Sequence, residues 1–585
     1  MPLPRALNWI PLFVFVTLCV DSRLAGAENQ KSGWAEFSSF SYEGHDPVFE
    51  KAPPSDTQFY NPILAGFHPD PSICRVGEDY YLINSSFSFF PGVPIYHSKD
   101  LVNWTQIGNA LDRPSTLNLD GSGVSGGIYA PAITYHNGLF YIITTNLSGG
   151  GNFYVTATNP AGPWSDPVWL PEINGIDPSL FFDDDGKGYI VHNGSPPDDK
   201  PQYKGHRAIW LWEFDPLKKS VDHGRIIVNG GTDLSKNPVW IEGPHLFKRN
   251  GYYYLSAAQG GTEKNHSQVV FRAKSLSERF EPFPDNPILT QRGMDASRPD
   301  PVTSTGHADM VETQNGEWWA VFLGIRTYED DLSNIGRETF LLPVTWLNDW
   351  PIILKKGEIL PYLVKRPNLP SAPPAPRPLT GTFAWQDNFK TTELDKSWLF
   401  LRTPRDHWWS LSAKPGSLLI APRSVALTSV PNKDLKLNGN PSFIAQRLQH
   451  ADFSASTVLV LNRSMVNCDA GLAALQNDAN YFFLGVRTAK GKVPQIFLEQ
   501  NTQKSKAPEI IASESLPIGL CRIELRIKGS GRLYSFAYRA DPAGVWKTIA
   551  EKVDGSILST QAAGGFVGTV IGLYARAQDL TAVVP

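Results

Sequence analysis

Five times between Asp70 and Ala320 a short apolar strand is followed by a turn at glycine and an aromatic-rich strand, at a spacing of roughly 60 residues. The pairs are Asp70-Pro-Ser-Ile73 with Gly77-Glu-Asp-Tyr-Tyr-Leu82, Ala130-Pro-Ala-Ile133 with Gly138-Leu-Phe-Tyr-Ile142, and Asp177-Pro-Ser-Leu180 with Gly186-Lys-Gly-Tyr-Ile190. Glu242-Gly-Pro-His-Leu246 with Gly251-Tyr-Tyr-Tyr-Leu255 and His307-Ala-Asp-Met310 with Gly316-Glu-Trp-Trp-Ala320 complete the set. A repeat of this length, with several strands in each unit and no amphipathic helix between them, closes as blades around an axis. The expected fold is all-β, and the repeats make a five-bladed β-propeller over residues 58–363. In a common register Asp70, Asp177, Glu242 and His307 hold matching places and converge on one cavity.

A carboxylate at the head of a strand is ordinarily a structural hydrogen-bond acceptor. Three of them in one hollow are a different matter, because crowded like charges raise one another's proton affinity and one carboxyl stays protonated near neutral pH. A protonated acid facing an ionised one across a water is the apparatus of inverting glycoside hydrolysis.

Outside the repeats the chain divides further. Residues 1–27 read as a signal peptide, with Arg5 before the apolar Trp9 to Val20 and a small-residue site at Ala25-Gly26-Ala27. The expected location is therefore secreted or periplasmic, after cleavage near Ala27. Residues 28–57 are polar and Ser-rich and read as a tether leading into the fold. A Pro-rich linker spans 364–382, held extended by its prolines. Residues 383–585 are strand-like without the blade repeat, as in Tyr481-Phe-Phe-Leu-Gly-Val486, and read as a β-sandwich. The net charge of -4 gives no electrostatic footprint for nucleic acid or an anionic membrane. Of four cysteines, Cys19 falls in the signal, Cys74 reads as a buried small hydrophobe, and Cys468 and Cys521 are left with pairing open.

Several strings resemble glycoside hydrolase family 43: Asn61-Pro-Ile-Leu-Ala-Gly-Phe-His-Pro-Asp-Pro-Ser-Ile73, Phe90-Pro-Gly-Val-Pro-Ile-Tyr-His-Ser-Lys-Asp-Leu101, Ile241-Glu-Gly-Pro-His-Leu246 and Gly336-Arg-Glu-Thr339. Leu401-Arg-Thr-Pro404 and Ser412-Ala-Lys-Pro-Gly416 resemble the C-terminal concanavalin-like jelly roll of its β-xylosidase and α-L-arabinofuranosidase branch. The resemblance implies Asp70 as general base, Glu242 as general acid and Asp177 as the residue that raises and orients the acid. It puts Phe87 and Tyr129 against the sugar, with His307 and Arg337 near its hydroxyls or the carboxylates. Tyr129 departs from the Trp usual in that branch. No cofactor is implied as required, though some relatives place a calcium-linked water near the position of His307. The expected partner is a xylo- or arabino-oligosaccharide from hemicellulose, cut from the end. Rival readings are an open-cleft arabinanase-like enzyme and a non-catalytic carbohydrate-binding propeller. A retaining invertase-like propeller is disfavoured because Gly243, not Cys, follows Glu242.

Overall fold

The computed structural model describes residues 33–51, 55–428, 439–462, 465–541 and 543–578. The signal segment, residues 1–27, lies outside the described residues.

Five sheets of consecutive antiparallel strands form the blades. Blade one is Ser72–Val76, Asp79–Ile83, Gly92–Ser98 and Thr105–Leu111; blade two is Ile128–His136, Leu139–Asn146, Gly151–Ala157 and Val168–Trp169. Blade three is Gly175–Phe182, Gly188–Gly194, Ala208–Asp215 and Ser220–Asn229. Blade four is Glu242–Arg249, Tyr252–Gln259, Ser267–Ala273 and Glu281–Pro282, with Leu289–Thr290 added to its third strand. Blade five is Val302–Glu312, Trp318–Arg326, Glu338–Leu347 and Trp350–Ile352. The first strand of each blade packs beside that of the next, and blade five returns to blade one, so the ring is closed around the axis. Gln58–Tyr60 pairs with Leu363–Lys365 where the two ends of the ring meet.

The register corrects one expectation. In blades two to five the ladder skips two residues of the first strand, between Tyr129 and Ala132, Ile176 and Ser179, Glu242 and His245, and Gly306 and Asp309. The first skipped residue has a left-handed backbone in every case: Ala130, Asp177, Gly243 and His307, matched by Asp70 in blade one. Glu242 therefore does not stand in register with Asp70 and Asp177 but one step earlier, level with Tyr129, Ile176 and Gly306. Gly243 holds the shared place. There φ is +54°, and a Cβ would lie 2.6 Å from Nε2 of His307, so both conformation and space demand glycine.

The second domain is a sandwich of two eight-stranded sheets, and it reaches far outside residues 383–585. Ala35–Gly44 runs inside one sheet, paired with Phe383–Asp387, Leu418–Ile420 and Asp452–Val460. The segment read as a polar tether is thus a central strand. Its serines obscured an apolar row of Phe37, Phe40 and Tyr42, all buried, and a register shift between Phe37 and Ser39 breaks the simple alternation. At the edge of the other sheet Leu399–Leu401 pairs with Phe89–Phe90 of the propeller. Asp452–Val460 alternates buried and half-buried residues as a sheet with one covered face should. Cys468–Leu475 is buried throughout. The largest core cluster joins Ile83, Ile95 and Ile133 of the blades to Phe400, Leu472 and Leu525 of the sandwich. Arg366 and the Ala372 amide of the Pro-rich stretch both bond to the buried Asp100. Cys468 and Cys521 are unpaired thiols, the first buried and the second exposed.

Candidate active site

The heads of the blades surround a pocket of about 350 Å³, within the range of about 300–1,000 Å³ usual for small-molecule sites. Asp70, Asp177, Glu242, Phe87, Tyr129, His307 and Arg337 all line it, so every residue singled out from the sequence meets the others there. The sequence reading missed Leu147, Ile176, Trp240, Thr262 and Phe566 on the same wall. Trp240, two residues before Glu242, was open to notice as an aromatic beside an acid. Phe566 belongs to the sandwich, and its only local signal is the glycine-dense Gly564-Gly565-Phe566-Val567-Gly568. Those glycines allow close approach: a Cβ on Gly336 would lie 2.7 Å from Gly568, and one on Gly565 would lie 2.3 Å from the Ser125 hydroxyl.

Asp70 is held by three neighbours. Arg337 donates from Nη1 to Oδ1 at 2.8 Å, Ser85 donates to Oδ2 at 2.6 Å, and His307 Nδ1 lies 3.5 Å from Oδ1. Burial opposes ionisation, but Arg337, His307 and Ser85 together outweigh it and hold the carboxyl below its ordinary range. Ser85 also accepts the Ala130 amide at 2.7 Å, which ties Asp70 to blade two. Asn84 secures the turn beneath by donating to the carbonyls of His68 and Pro69.

The other two carboxyls are shifted the opposite way. Burial, then the charge of Asp70, pushes Asp177 up to about 7, against a 3.1 Å bond from the Gly243 amide. Burial, then Asp177 and Asp70, raises Glu242 well above its ordinary range. Oε1 of Glu242 is buried with no hydrogen-bond partner. His307 is pushed down to about 4 by burial and is a neutral imidazole beside Asp70.

The pocket's apolar wall is built from both domains. Phe87 and Tyr129 meet edge to face at 4.8 Å between ring centres, and Phe566 stacks on Phe87 at 6.1 Å. Phe87 stands two residues from the strand that extends the sandwich sheet, so that sheet helps to place it. Tyr129 donates its hydroxyl to the Ser125 carbonyl at 2.5 Å. Arg337 passes between the domains: its Nη2 donates to the Phe566 carbonyl at 3.4 Å.

Among the described residues no group of three His, Cys, Asp or Glu side chains is arranged to hold a metal ion. Near His307, Asp309 already accepts from Ser72, Ile73 and Met310, and Asp70 from Arg337 and Ser85. The side chains there do not fit calcium held by several protein oxygens.

Two family models match the chain. "Glycosyl hydrolases family 43" matches residues 59–351, and "Beta xylosidase C-terminal Concanavalin A-like domain" matches residues 386–582. A protein named xylosidase/arabinosidase from Butyrivibrio fibrisolvens is 40% identical over 89% of this chain and 96% of its own length. A non-reducing end α-L-arabinofuranosidase from Bacteroides ovatus is 39% identical over 88% of this chain and 91% of its own. The crystal structure of a GH43_12 protein retrieved from a capybara gut metagenome superposes with a TM-score of 0.84 at 41% identity, covering 93% of this chain and all of the other.

Proposed function

The chain belongs to glycosyl hydrolase family 43 and is a glycosidase, and from that premise we propose that it inverts configuration while releasing terminal β-D-xylose or α-L-arabinofuranose from hemicellulose oligosaccharides. The observation that carries this reading is one pocket lined by three buried carboxyls, of which Asp70 accepts from Arg337 and Ser85 while Glu242 keeps a buried oxygen without a partner, an arrangement that favours charge on Asp70 and a proton on Glu242. Asp70 takes a proton from a water as its oxygen attacks the anomeric carbon. The glycosidic C–O bond breaks on the opposite side, and Glu242 gives its proton to the leaving oxygen. Asp177 keeps Glu242 protonated until that moment and orients it. General acid–base assistance of this kind contributes about 10²–10⁴-fold.

Removal of a single terminal sugar is supported by Phe566, which the sandwich brings to the pocket wall, and by a volume near the lower end for ligand sites. The choice of two pentoses is supported by the names of the Butyrivibrio and Bacteroides relatives. Export is part of the same proposal: residues 1–27 are cleaved, and N-terminal sequencing of secreted protein is expected to begin at Glu28.

The test is proton NMR of the sugar first released from aryl β-xyloside and aryl α-arabinofuranoside. The inverted anomer is expected, and retention overturns the mechanism. Binding of both glycosides with no aglycone released by the wild type would instead establish a carbohydrate-binding propeller.

A further inference from the structure

Arg207 stands immediately before the strand Ala208–Asp215 and was not singled out from the sequence. Its Nε donates to Oδ1 of the buried Asn193 at 2.7 Å, and its guanidinium lies 5.1 Å from the ring centre of Trp240. Among the described residues its side chain makes no ion pair. Both supports belong to the acid side of the pocket: Asn193 faces Ile176 across the ladder, next to Asp177, and Trp240 is two residues from Glu242. An amide and an indole hold a cation in place without neutralising it. Arg337, the guanidinium that lines the pocket itself, is by contrast spent on Asp70 at 2.8 Å.

The reaction moves charge between these two places. Before turnover the negative charge sits on Asp70. As Asp70 takes the water's proton and Glu242 gives up its own, that charge passes to Glu242 with no net change in the pocket. We propose that Arg207 is a positioning residue for this second state, an unneutralised cation that receives the charge arriving on Glu242. This rests on the assignment of Glu242 as the acid.

Four charged groups act on the buried Glu242, and neutral ones stand around them. Asp177 and Asp70 oppose its ionisation, Arg337 and Arg207 favour it, and His307, His266 and Tyr129 are neutral: burial holds His307 near 4 and His266 near 3, and pushes Tyr129 up to about 12. Arg207 is the cation among these without a carboxylate partner; its charge favours ionisation of both Asp177 and Glu242, so its removal raises the proton affinity of both carboxyls directly.

The experiment is the pH profile of kcat/KM for Arg207→Met, Arg207→Gln and Arg207→Lys on two aryl glycosides, one with a strongly acidic and one with a weakly acidic leaving phenol. For Met and Gln the alkaline limb is expected to rise by about one pH unit. Turnover of the weakly acidic leaving group is expected to fall about tenfold or more, with the other nearly spared. Lysine is expected to keep the limb near its wild-type place. An unmoved limb in both neutral variants, with KM raised equally for both glycosides, overturns the proposal and leaves Arg207 a substrate contact. Glu242→Gln in the same assay separates the two claims. If it retains full activity on the weakly acidic leaving group, the acid assignment itself falls. If it is crippled while the Arg207 variants keep the wild-type limb, only the role of Arg207 falls.

Discussion

The two walls of the pocket bury the same chemical group and give it opposite properties. On one wall Asp70 accepts from Arg337 and Ser85, with His307 beside it. On the other, Glu242 has a buried oxygen with no partner and two carboxyls for neighbours. Burial acts alike on both and disfavours charge in each case. What separates them is the compensation, so the difference in proton affinity between the walls is set by the immediate partners.

The largest effects test that contrast directly. Asp70→Asn and Glu242→Gln are each expected to lower kcat by about 10²–10⁴-fold on an ordinary aryl glycoside. A strongly acidic leaving phenol needs no proton, so it should restore much of the Glu242→Gln loss and none of the Asp70→Asn loss. Equal losses with both phenols would erase the distinction between the walls.

Next in size is Arg337→Met, which strips Asp70 of its cation and makes its wall resemble that of Glu242. On the proposed roles, wild-type activity is expected to fall as pH drops through the depressed pKa of Asp70 and again as pH rises through the raised pKa of Glu242. Without Arg337 the acidic limb should move up by about one pH unit or more, with kcat/KM down at least about tenfold. A profile unchanged in shape would show that Ser85 and His307 suffice.

A smaller effect is expected for Phe566→Ala, which removes the sandwich's ring from the wall of Phe87 and Tyr129. KM should rise about tenfold with kcat little altered, the sign of a contact made equally before and during reaction. No change in KM would detach the sandwich from sugar binding.

The smallest concerns stability. Asp177 is pushed up to about 7 in the folded protein, whereas an unfolded aspartate ionises near about 3.9. Between those values the folded state binds the extra proton, so stability from this group declines as pH rises through that window. Asp177→Asn should therefore melt about 2 °C or more above the wild type at pH 7, and the gap should close toward pH 4, while activity is lost. Differential scanning calorimetry at the two pH values reads it.

The propeller was legible because each blade is a local object. Four consecutive strands pair with their chain neighbours, and the Gly turns and Pro-headed strands recur in plain view. The same regularity misled at Glu242, where Glu-Gly-Pro resembles Asp-Pro closely enough to suggest one register while the ladder assigns Gly243 to the shared place. Ala35–Gly44 was illegible for another reason. Its partner Asp452–Val460 is hundreds of residues away, and no local pattern states whether a Ser-rich strand will be covered.

From the chain alone came the five-bladed ring, the second β domain and the identity of the three acids, because period and motif are carried by neighbouring residues. Only the tertiary structure decided how each carboxyl is compensated, that Phe566 reaches the pocket wall and that Arg207 lies against Trp240, two residues before Glu242. Those depend on desolvation and on distances through space between residues that the chain keeps far apart.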